Sequence, residues 1–406
     1  MATDIKTLSI PPSQYAKKGN RSIEAAIVKI LYFDYLRTNK INGAFLAMDL
    51  ENCFDRMAHL VSSLCTQRLG VPPQITQCMI RTLCQMKHFI RTAYGDSKWS
   101  YIGAKNKPLQ GAVQGNGAAS PIFVAISCTI LAYLERQVVG ISAYSAITLT
   151  LFTLVAILYV DDSDILIAAV EKDETAYSVS KRAQKAATAY QNGVHQTGGA
   201  VRPEKCRWYS ISFRWIAGEW KYDNNPNNKK VYIQNSDGND KEIERLKVNE
   251  GWKGLGILAA PDGKWKDHVT YLIEEKIKPW NASIRTSYLH RHDVYRSAFT
   301  SIFKSIDYTL PATSMTTSQC KLINTQLHKK FLPRIGVDVH LPLPYRYAPK
   351  CLQGLGSMNI EIKQFTEKTQ DILTTCRNIV TNRQNDSIND RKYASSHRSK
   401  SAVVFT

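Results

Sequence analysis

Two adjacent carboxylates interrupt the apolar run ILYVDDSDILI, residues 157–167. Asp161 and Asp162 lie at its centre, where like charges side by side cost free energy unless a cation neutralises them. Asp49 is the strongest candidate for a third carboxylate, because it ends the run AFLAM as Asp161 ends AILYV. Neighbouring strands would bring these side chains to one edge of a sheet. Three clustered carboxylates favour Mg²⁺, with Mn²⁺ able to replace it.

Such a site suits nucleotidyl transfer. Two ions about 4 Å apart would activate a 3′-hydroxyl and stabilise a pyrophosphate leaving group. The alternative is that Asp161 and Asp162 only form a hairpin turn, where Asp is common. The pair taken alone leaves both interpretations open.

Hydrophobic periodicity predicts the elements that must position these residues. Apolar residues at helical spacing predict a helix from about Ser22 to Arg37, and GAFLAMDL predicts a strand. LYVDDSDILIAA is typical of a strand, a tight turn and a second strand. Further helical stretches are expected over 74–93, 120–137 and 171–195, and over most of the chain beyond Lys264.

The charge composition of the chain indicates which kinds of partner it would bind. The 406 residues include 53 Lys and Arg against 34 Asp and Glu, and the formal net charge of +19 favours a polyanion such as nucleic acid or an acidic membrane surface. The nine cysteines show no zinc-site spacing, and the N-terminus shows no secretory signal. We therefore expect reduced thiols and an intracellular protein, in the nucleus or the cytoplasm.

An uncharged stretch from Val138 to Val160 is long enough to cross a bilayer. Gly140 and several Ser, Thr and Tyr residues interrupt it, and it runs directly into the paired aspartates. Buried strands leading to a turn fit it better, so no membrane is expected. A membrane-associated basic protein stays open as a weaker alternative.

Five motifs carry a family resemblance. YVDD resembles the YxDD box of reverse transcriptases, and MDLENCFDRM resembles their first catalytic motif. LQGAVQGNGAASPIF, TGGAVRPEKC and EGWKGLGILAAPDG resemble three further motifs, and all five follow the family's order across about 49–263. QYAKKGNRSIEAA resembles the preceding fingers segment of the non-LTR, LINE-like branch.

The resemblance implies a role for each matching position. Asp49, Asp161 and Asp162 would form the metal site, Asp162 mainly through its field and alignment, and Lys205 would protonate the leaving pyrophosphate. The incoming nucleotide and template base would contact Phe54, which would exclude a ribose 2′-hydroxyl, together with Gln114, Gly115 and Tyr159. Primer and template would contact Trp252, Lys253, Leu255, Gly256 and Arg21. Ordinary core packing stays open for Phe54 and Trp252, and a solvated lysine for Lys205.

The implied fold is an α+β right-hand polymerase with reduced fingers, an antiparallel-sheet palm with helices on one face, and a helical thumb. The expected domains are partial fingers over 1–48, a palm over 49–263 with residual fingers elements at 74–115, a thumb over 264–376 and a disordered basic tail over 377–406.

The implied activity is Mg²⁺-dependent, RNA-directed DNA synthesis by a retrotransposon enzyme. Its partners would be an RNA template, a DNA primer or RNA–DNA hybrid, and deoxynucleoside triphosphates. The alternative is a catalytically inactive remnant or a recruited RNA-binding protein with the same fold. The short fingers segment favours that alternative, whereas intact Asp49, Asp161, Asp162 and Lys205 argue against it.

Overall fold

In the computed structural model of the protein, the apolar run before Asp49 forms strand β1, Gly43–Met48, in which every residue is buried. Ala44 and Leu46 belong to one core cluster and Phe45 to another. Successive side chains of a strand point to opposite faces of the sheet. A strand covered on both faces has a continuous apolar sequence, which explains GAFLAM.

The structure describes residues 10–103, 110–112, 115–144, 151–171, 173–223 and 230–375. Internal contacts divide the chain into two units, Met1–Lys264 and Trp265–Thr406. The first unit mixes helices and strands, whereas the described part of the second is helical. The tail 377–406, for which disorder was expected, lies outside the described residues.

Strands of the first unit are short and mostly paired as hairpins. They are β2 His88–Thr92, β3 Gly95–Tyr101, β4 Ile141–Tyr144, β5 Leu151–Leu154, β6 Ala156–Tyr159, β7 Asp162–Ala168, β8 Arg207–Ile211, β9 Phe213–Ile216, β10 Glu219–Tyr222, β11 Tyr232–Gln234, β12 Asp240–Glu242, β13 Glu244–Leu246, β14 Trp252–Gly254 and β15 Ile257–Ala259. The central sheet has the order β13–β8–β1–β7–β6. Its pairings are antiparallel, except that β13 lies parallel to β8. The sequence prediction of an antiparallel sheet is therefore wrong for this one edge strand.

The described residues of the first unit also form helices. They are α1 Ser22–Asn39, α2 Cys53–Arg56, α3 His59–Arg68, α4 Pro73–Gln85, α5 Ala119–Gln137 and α6 Ala176–Gln196. Two boundaries differ from the sequence prediction. The stretch 74–93 is helical only to Gln85 and then forms β2. Helix α6 begins after Glu171, because the Thr175 hydroxyl caps it by accepting a hydrogen bond from the Ser178 amide.

Helices cover both faces of the central sheet, so the expectation of one covered face is wrong. Side chains of α5 and α6 share a core cluster with Leu46, whereas α1 packs on the opposite face with Phe45. The hydroxyl of Tyr32 in α1 donates to the carbonyl oxygens of Ala44, at 2.9 Å, and Ile167, at 2.8 Å. One buried side chain thereby ties α1 to both β1 and β7.

The second unit is a helical bundle. Helix α7, Lys266–Tyr271, continues through a π-helical turn, Leu272–Ile277, into α8, Lys278–Thr286. In the same way α9, Arg291–Ser297, continues through a π-helical turn, Ala298–Ile302, into α10, Phe303–Asp307. The remaining helices are α11 Thr317–Arg334, α12 Leu343–Tyr347 and a helix over 360–375. Thr316 and Gln319 form a reciprocal capping box at the start of α11. Phe331 of α11 is fully buried and contacts the rings of Tyr295 and Phe303.

The uncharged stretch 138–160 does not form a membrane-spanning helix over its described residues. It contains β4, β5 and β6, which lead into the paired aspartates as the sequence predicted. The expectation that these strands are buried holds for β6 but is wrong for β5, which is mostly exposed. One described helix, α5, is long and apolar enough to cross a membrane by those two criteria alone. Most of that helix is buried within the protein, as in the core helix of a folded domain.

Candidate active site

A strained two-residue turn carries the paired aspartates. Tyr159 pairs with Asp162 across the β6–β7 hairpin, so Val160 and Asp161 form the turn. Val160 has a φ of 54°. A β-branched residue in this left-handed region is an outlier whose conformation the surrounding structure must maintain. The strain lies at the position that presents both carboxylates.

The sheet register brings Asp49 to the same place. Strands β1 and β7 are antiparallel, and Met48 lies opposite Ser163. The next pair outward is therefore Asp49 and Asp162. The sequence prediction that the strands ending at Asp49 and Asp161 are neighbours is wrong, because β7 lies between β1 and β6. Asp49 instead lies beside Asp162 at the start of β7, and both line one cavity.

The segment after α6 folds back onto Asp49. The Asp49 carbonyl accepts a hydrogen bond from the Arg202 amide at 2.9 Å, and the Asp49 amide donates to Cys206 Sγ at 3.3 Å. Between these anchors a 3₁₀ turn, Pro203–Lys205, places Lys205 Nζ at 3.8 Å from Asp49 Oδ2. The motif around Lys205 thus meets the motif around Asp49.

These residues share one open cavity of about 240 Å³. The predicted site residues that line it are Asp49, Asp162, Lys205, Trp252, Lys253 and Leu255. Asp161 is exposed at the tip of the hairpin and does not line the cavity. The segments that resemble the catalytic and primer-grip motifs therefore converge, although Asp161 is not part of the cavity lining.

Electrostatics favour a cation here. Burial raises the pKa of Asp49; Lys205 counteracts this, and the charge of Asp161 adds to it. Burial of the Asp162 carboxyl group, together with the negative charges of Asp161 and Asp164, raises its pKa to about 6. Part of the residue is nevertheless exposed to solvent. Mutually repelling carboxylates of this kind are stabilised when a positive charge binds between them.

The donor chemistry suits Mg²⁺. Carboxylate oxygens are the ligands that this ion prefers, and the buried Asp49 Oδ2 accepts no hydrogen bond among the described residues. Within the same part of the chain, no three His, Cys, Asp or Glu side chains form a ready metal-binding group. In this structure Lys205 forms an ion pair with Asp49, and the charge of Arg202 also lowers the pKa of Asp49.

The predicted primer grip is a tight hairpin turn. Gly254 pairs with Ile257, so Leu255 and Gly256 form the turn between β14 and β15. Their φ angles are 51° and 81°, the pattern of a type I′ turn. Leu255 faces the cavity, and the indole of Trp252 lies 5.3 Å from the guanidinium of Arg207.

Several other predicted residues do not line this cavity. The half-buried ring of Phe54 packs edge-on against Phe123 at 5.8 Å, and Tyr159 lines a second cavity of about 310 Å³ beside Tyr15, Lys17 and Lys18. Arg21 pairs with Glu24 at 3.1 Å and lines neither cavity. Gly115 has a φ of 89°, and Gln114 lies outside the described residues.

Sequence reasoning missed several cavity residues. Glu204 and Arg207 line it beside Lys205, and Asp164 lines it beside Asp162. Asp164 could have been found, because residues two apart on a strand share a face. Outside the cavity lining, the sequence also gave no role to Gly111, where a Cβ would lie 2.5 Å from the Phe54 carbonyl oxygen, so this close approach requires glycine.

Comparison with known proteins gives only distant similarity. The sequence matches no protein-family model and no curated protein significantly. Telomerase from Candida albicans, in complex with a TWJ fragment of telomeric RNA, is 12% identical with a TM-score of 0.37, and the match covers 87% of this chain and 56% of that one.

Two Candida tropicalis telomerase structures are similar to the same degree. Apo telomerase is 12% identical with a TM-score of 0.36, covering 81% of this chain and 51% of that one. The complex with a TWJ fragment is 11% identical with a TM-score of 0.34, covering 79% and 52%. The chain spans about half the length of these structures. Similarity this low does not establish a shared fold, and the proposal below rests on the residues of this chain.

Proposed function

We propose that this protein is an RNA-directed DNA polymerase of a retrotransposon, which adds deoxynucleotides to a primer 3′ end. The observation that carries the proposal is the cavity shared by Asp49, Asp162 and Lys205 with the primer-grip hairpin β14–β15. Nucleotidyl transfer needs carboxylates for metal ions, a cation for the leaving pyrophosphate, and an aromatic and basic surface for the primer strand. Each of these groups is supplied by one of the motifs that resemble reverse transcriptases.

Asp49, Asp161 and Asp162 would hold Mg²⁺, or Mn²⁺ in its place. The bound metal would supply two-ion activation of the 3′-hydroxyl and stabilisation of the leaving group. Lys205 would act as a general acid, since its flexible ammonium already lies at the cavity edge. Trp252 and Lys253 would hold the primer by stacking and by phosphate contact.

The partners would be an RNA template, a DNA primer or RNA–DNA hybrid, and deoxynucleoside triphosphates. The net charge of +19 supports binding to a polyanion. The first unit would be the palm with reduced fingers, and the helical second unit would be the thumb. The protein would act inside the cell and away from the membrane.

A nucleic-acid-binding protein without turnover is the second candidate. The observation in its favour is that no three metal-ligating side chains stand ready together within the described ranges. Such a protein would keep the basic surface and the hairpins but would not extend a primer.

Extension of a labelled DNA primer on an RNA template with Mg²⁺ separates the two candidates. We expect extension by the unmodified chain and its loss in Asp161→Asn and Asp49→Asn, with hybrid binding retained. Asp173→Asn is the matched control, because Asp173 is exposed and lies outside the cavity. Hybrid binding without any extension by the unmodified chain would establish the second candidate.

A further inference from the structure

A buried lysine lies behind the wall of the candidate site. Lys29 of α1 is 2% exposed, although lysine is almost never fully buried without a partner. Its Nζ lies 3.2 Å from Asp164 Oδ2 and 5.5 Å from the centre of the Phe45 ring. The motif resemblance gives Lys29 no role.

The ammonium group lies close to two residues that line the cavity, Asp164 and Gly254. Asp164 lies two residues after Asp162 on β7, and it lines the cavity together with Gly254, the last residue of β14. A Cβ built on Gly254 would lie 2.4 Å from Lys29 Nζ. The ammonium therefore fills the space between the carboxylate hairpin β6–β7 and the primer-grip hairpin β14–β15.

The buried ion pair between Lys29 and Asp164 is not well explained by a contribution to stability alone. Removing two charges from water is expensive, and replacing a buried pair by neutral side chains is often harmless to stability. At 3.2 Å from Asp164 Oδ2, the ammonium has a carboxylate partner that offsets part of the cost of its burial. A geometric role accounts better for a charge held at this position.

We propose that Lys29 is a positioning residue that fixes the primer-grip hairpin β14–β15 at a set distance from the carboxylate hairpin β6–β7. Asp164 holds the ammonium in place, and Gly254 lets the backbone of β14 approach it. Side chains on β14, including Trp252 and Lys253, then take their positions relative to Asp162. The consequence for primer placement rests on the proposed function, whereas the docking of the hairpin does not.

The test uses the full chain with both charges removed, Lys29→Met combined with Asp164→Asn, because either single change leaves an uncompensated buried charge. The control removes a partly buried pair away from the cavity, Arg182→Met with Glu174→Gln, whose atoms lie 2.9 Å apart in the unmodified chain. Amide hydrogen exchange of Trp252–Ala259 reports the docking of the hairpin without requiring activity.

We expect exchange in that segment to accelerate about tenfold in the Lys29→Met/Asp164→Asn variant, with cooperative unfolding retained, and to stay unchanged in the control. Primer extension by the same variant should show a KM for the hybrid raised by about tenfold and a smaller change in kcat. Unchanged exchange in the segment would overturn the positioning role. Absence of extension by the unmodified chain would overturn the proposed polymerase function instead, and the exchange result would still decide the role of Lys29.

Gly254→Ala supplies an independent check. Its added methyl group points at Lys29 Nζ, so it should also accelerate exchange over Trp252–Ala259. Gly117→Ala, where a Cβ meets nothing within 4 Å and φ is not positive, is the control for adding a methyl group to a glycine. Equal exchange in Gly254→Ala and the unmodified chain would contradict the close approach.

Discussion

Lys205 Nζ lies 3.8 Å from Asp49 Oδ2, and both side chains are partly exposed. An ion pair at this distance and exposure contributes little to stability. A substitution at Lys205 therefore tests chemistry and leaves the fold intact.

Lys205→Gln should lower the rate of primer extension by about a hundredfold, the usual size of a lost general acid. The apparent affinity for the hybrid should change little. Single-turnover extension over a series of hybrid concentrations measures both the rate and the affinity. Lys241→Gln, on the exposed strand β12, is the control. A loss of similar size in the two variants would point to general electrostatics instead of proton transfer.

Tyr32→Phe should destabilise the first unit by about 1–2 kcal/mol, because two carbonyl oxygens in the sheet lose their shared hydroxyl donor. Tyr35→Phe, on the same helix and only half-buried, should change stability by less than about 0.5 kcal/mol. Urea unfolding followed by circular dichroism compares the two. Equal midpoints would show that the Tyr32 hydroxyl does not secure α1 to the sheet.

The sequence predicted the parts of this fold that local patterns determine. The apolar run ending at Asp49 and the apolar residues on both sides of the paired aspartates correctly predicted β1, β6 and β7. The helix predicted to residue 93 ends at Gln85, because aromatic and β-branched residues such as Phe89, Ile90 and Thr92 favour a strand, which pairs with β3 through a turn at 93–94. The pairing of Lys29 with Asp164 joins distant parts of the chain, and no local pattern encodes it.

Two buried histidines should make the second unit acid-sensitive. Burial lowers the pKa of His268 to about 4, and burial, with the charge of Arg346, does the same for His328. In the unfolded chain these histidines have pKa values of about 6.5, so between about pH 6.5 and pH 4 the unfolded chain binds more protons than the folded chain. The free energy of unfolding therefore falls as the pH decreases through this range.

Each histidine should account for a loss of ~1 kcal/mol by about pH 5.5. Urea midpoints of the unmodified chain and of His268→Gln, measured at about pH 7.5 and pH 5.5, give this difference. The variant should lose less stability between the two conditions. His292→Gln, at an exposed position, should behave like the unmodified chain. Identical pH dependence in all three proteins would contradict a neutral, buried His268.

Phe54 has two competing roles that one substitution separates. Its ring packs against Phe123 at 5.8 Å and does not line the cavity of Asp49, yet the motif resemblance assigns it the exclusion of a ribose 2′-hydroxyl. If it forms that barrier, Phe54→Ala should raise ribonucleotide incorporation relative to deoxynucleotide incorporation by about tenfold or more, because a site that blocks a hydroxyl discriminates through that contact.

Cys53→Ala, at the half-buried neighbouring position, controls for disturbance of α2. Single-nucleotide insertion with matched ribo- and deoxyribonucleotides gives the ratio. A loss of stability with unchanged sugar selectivity would leave Phe54 as a packing residue, which is the role its contact with Phe123 supports by itself.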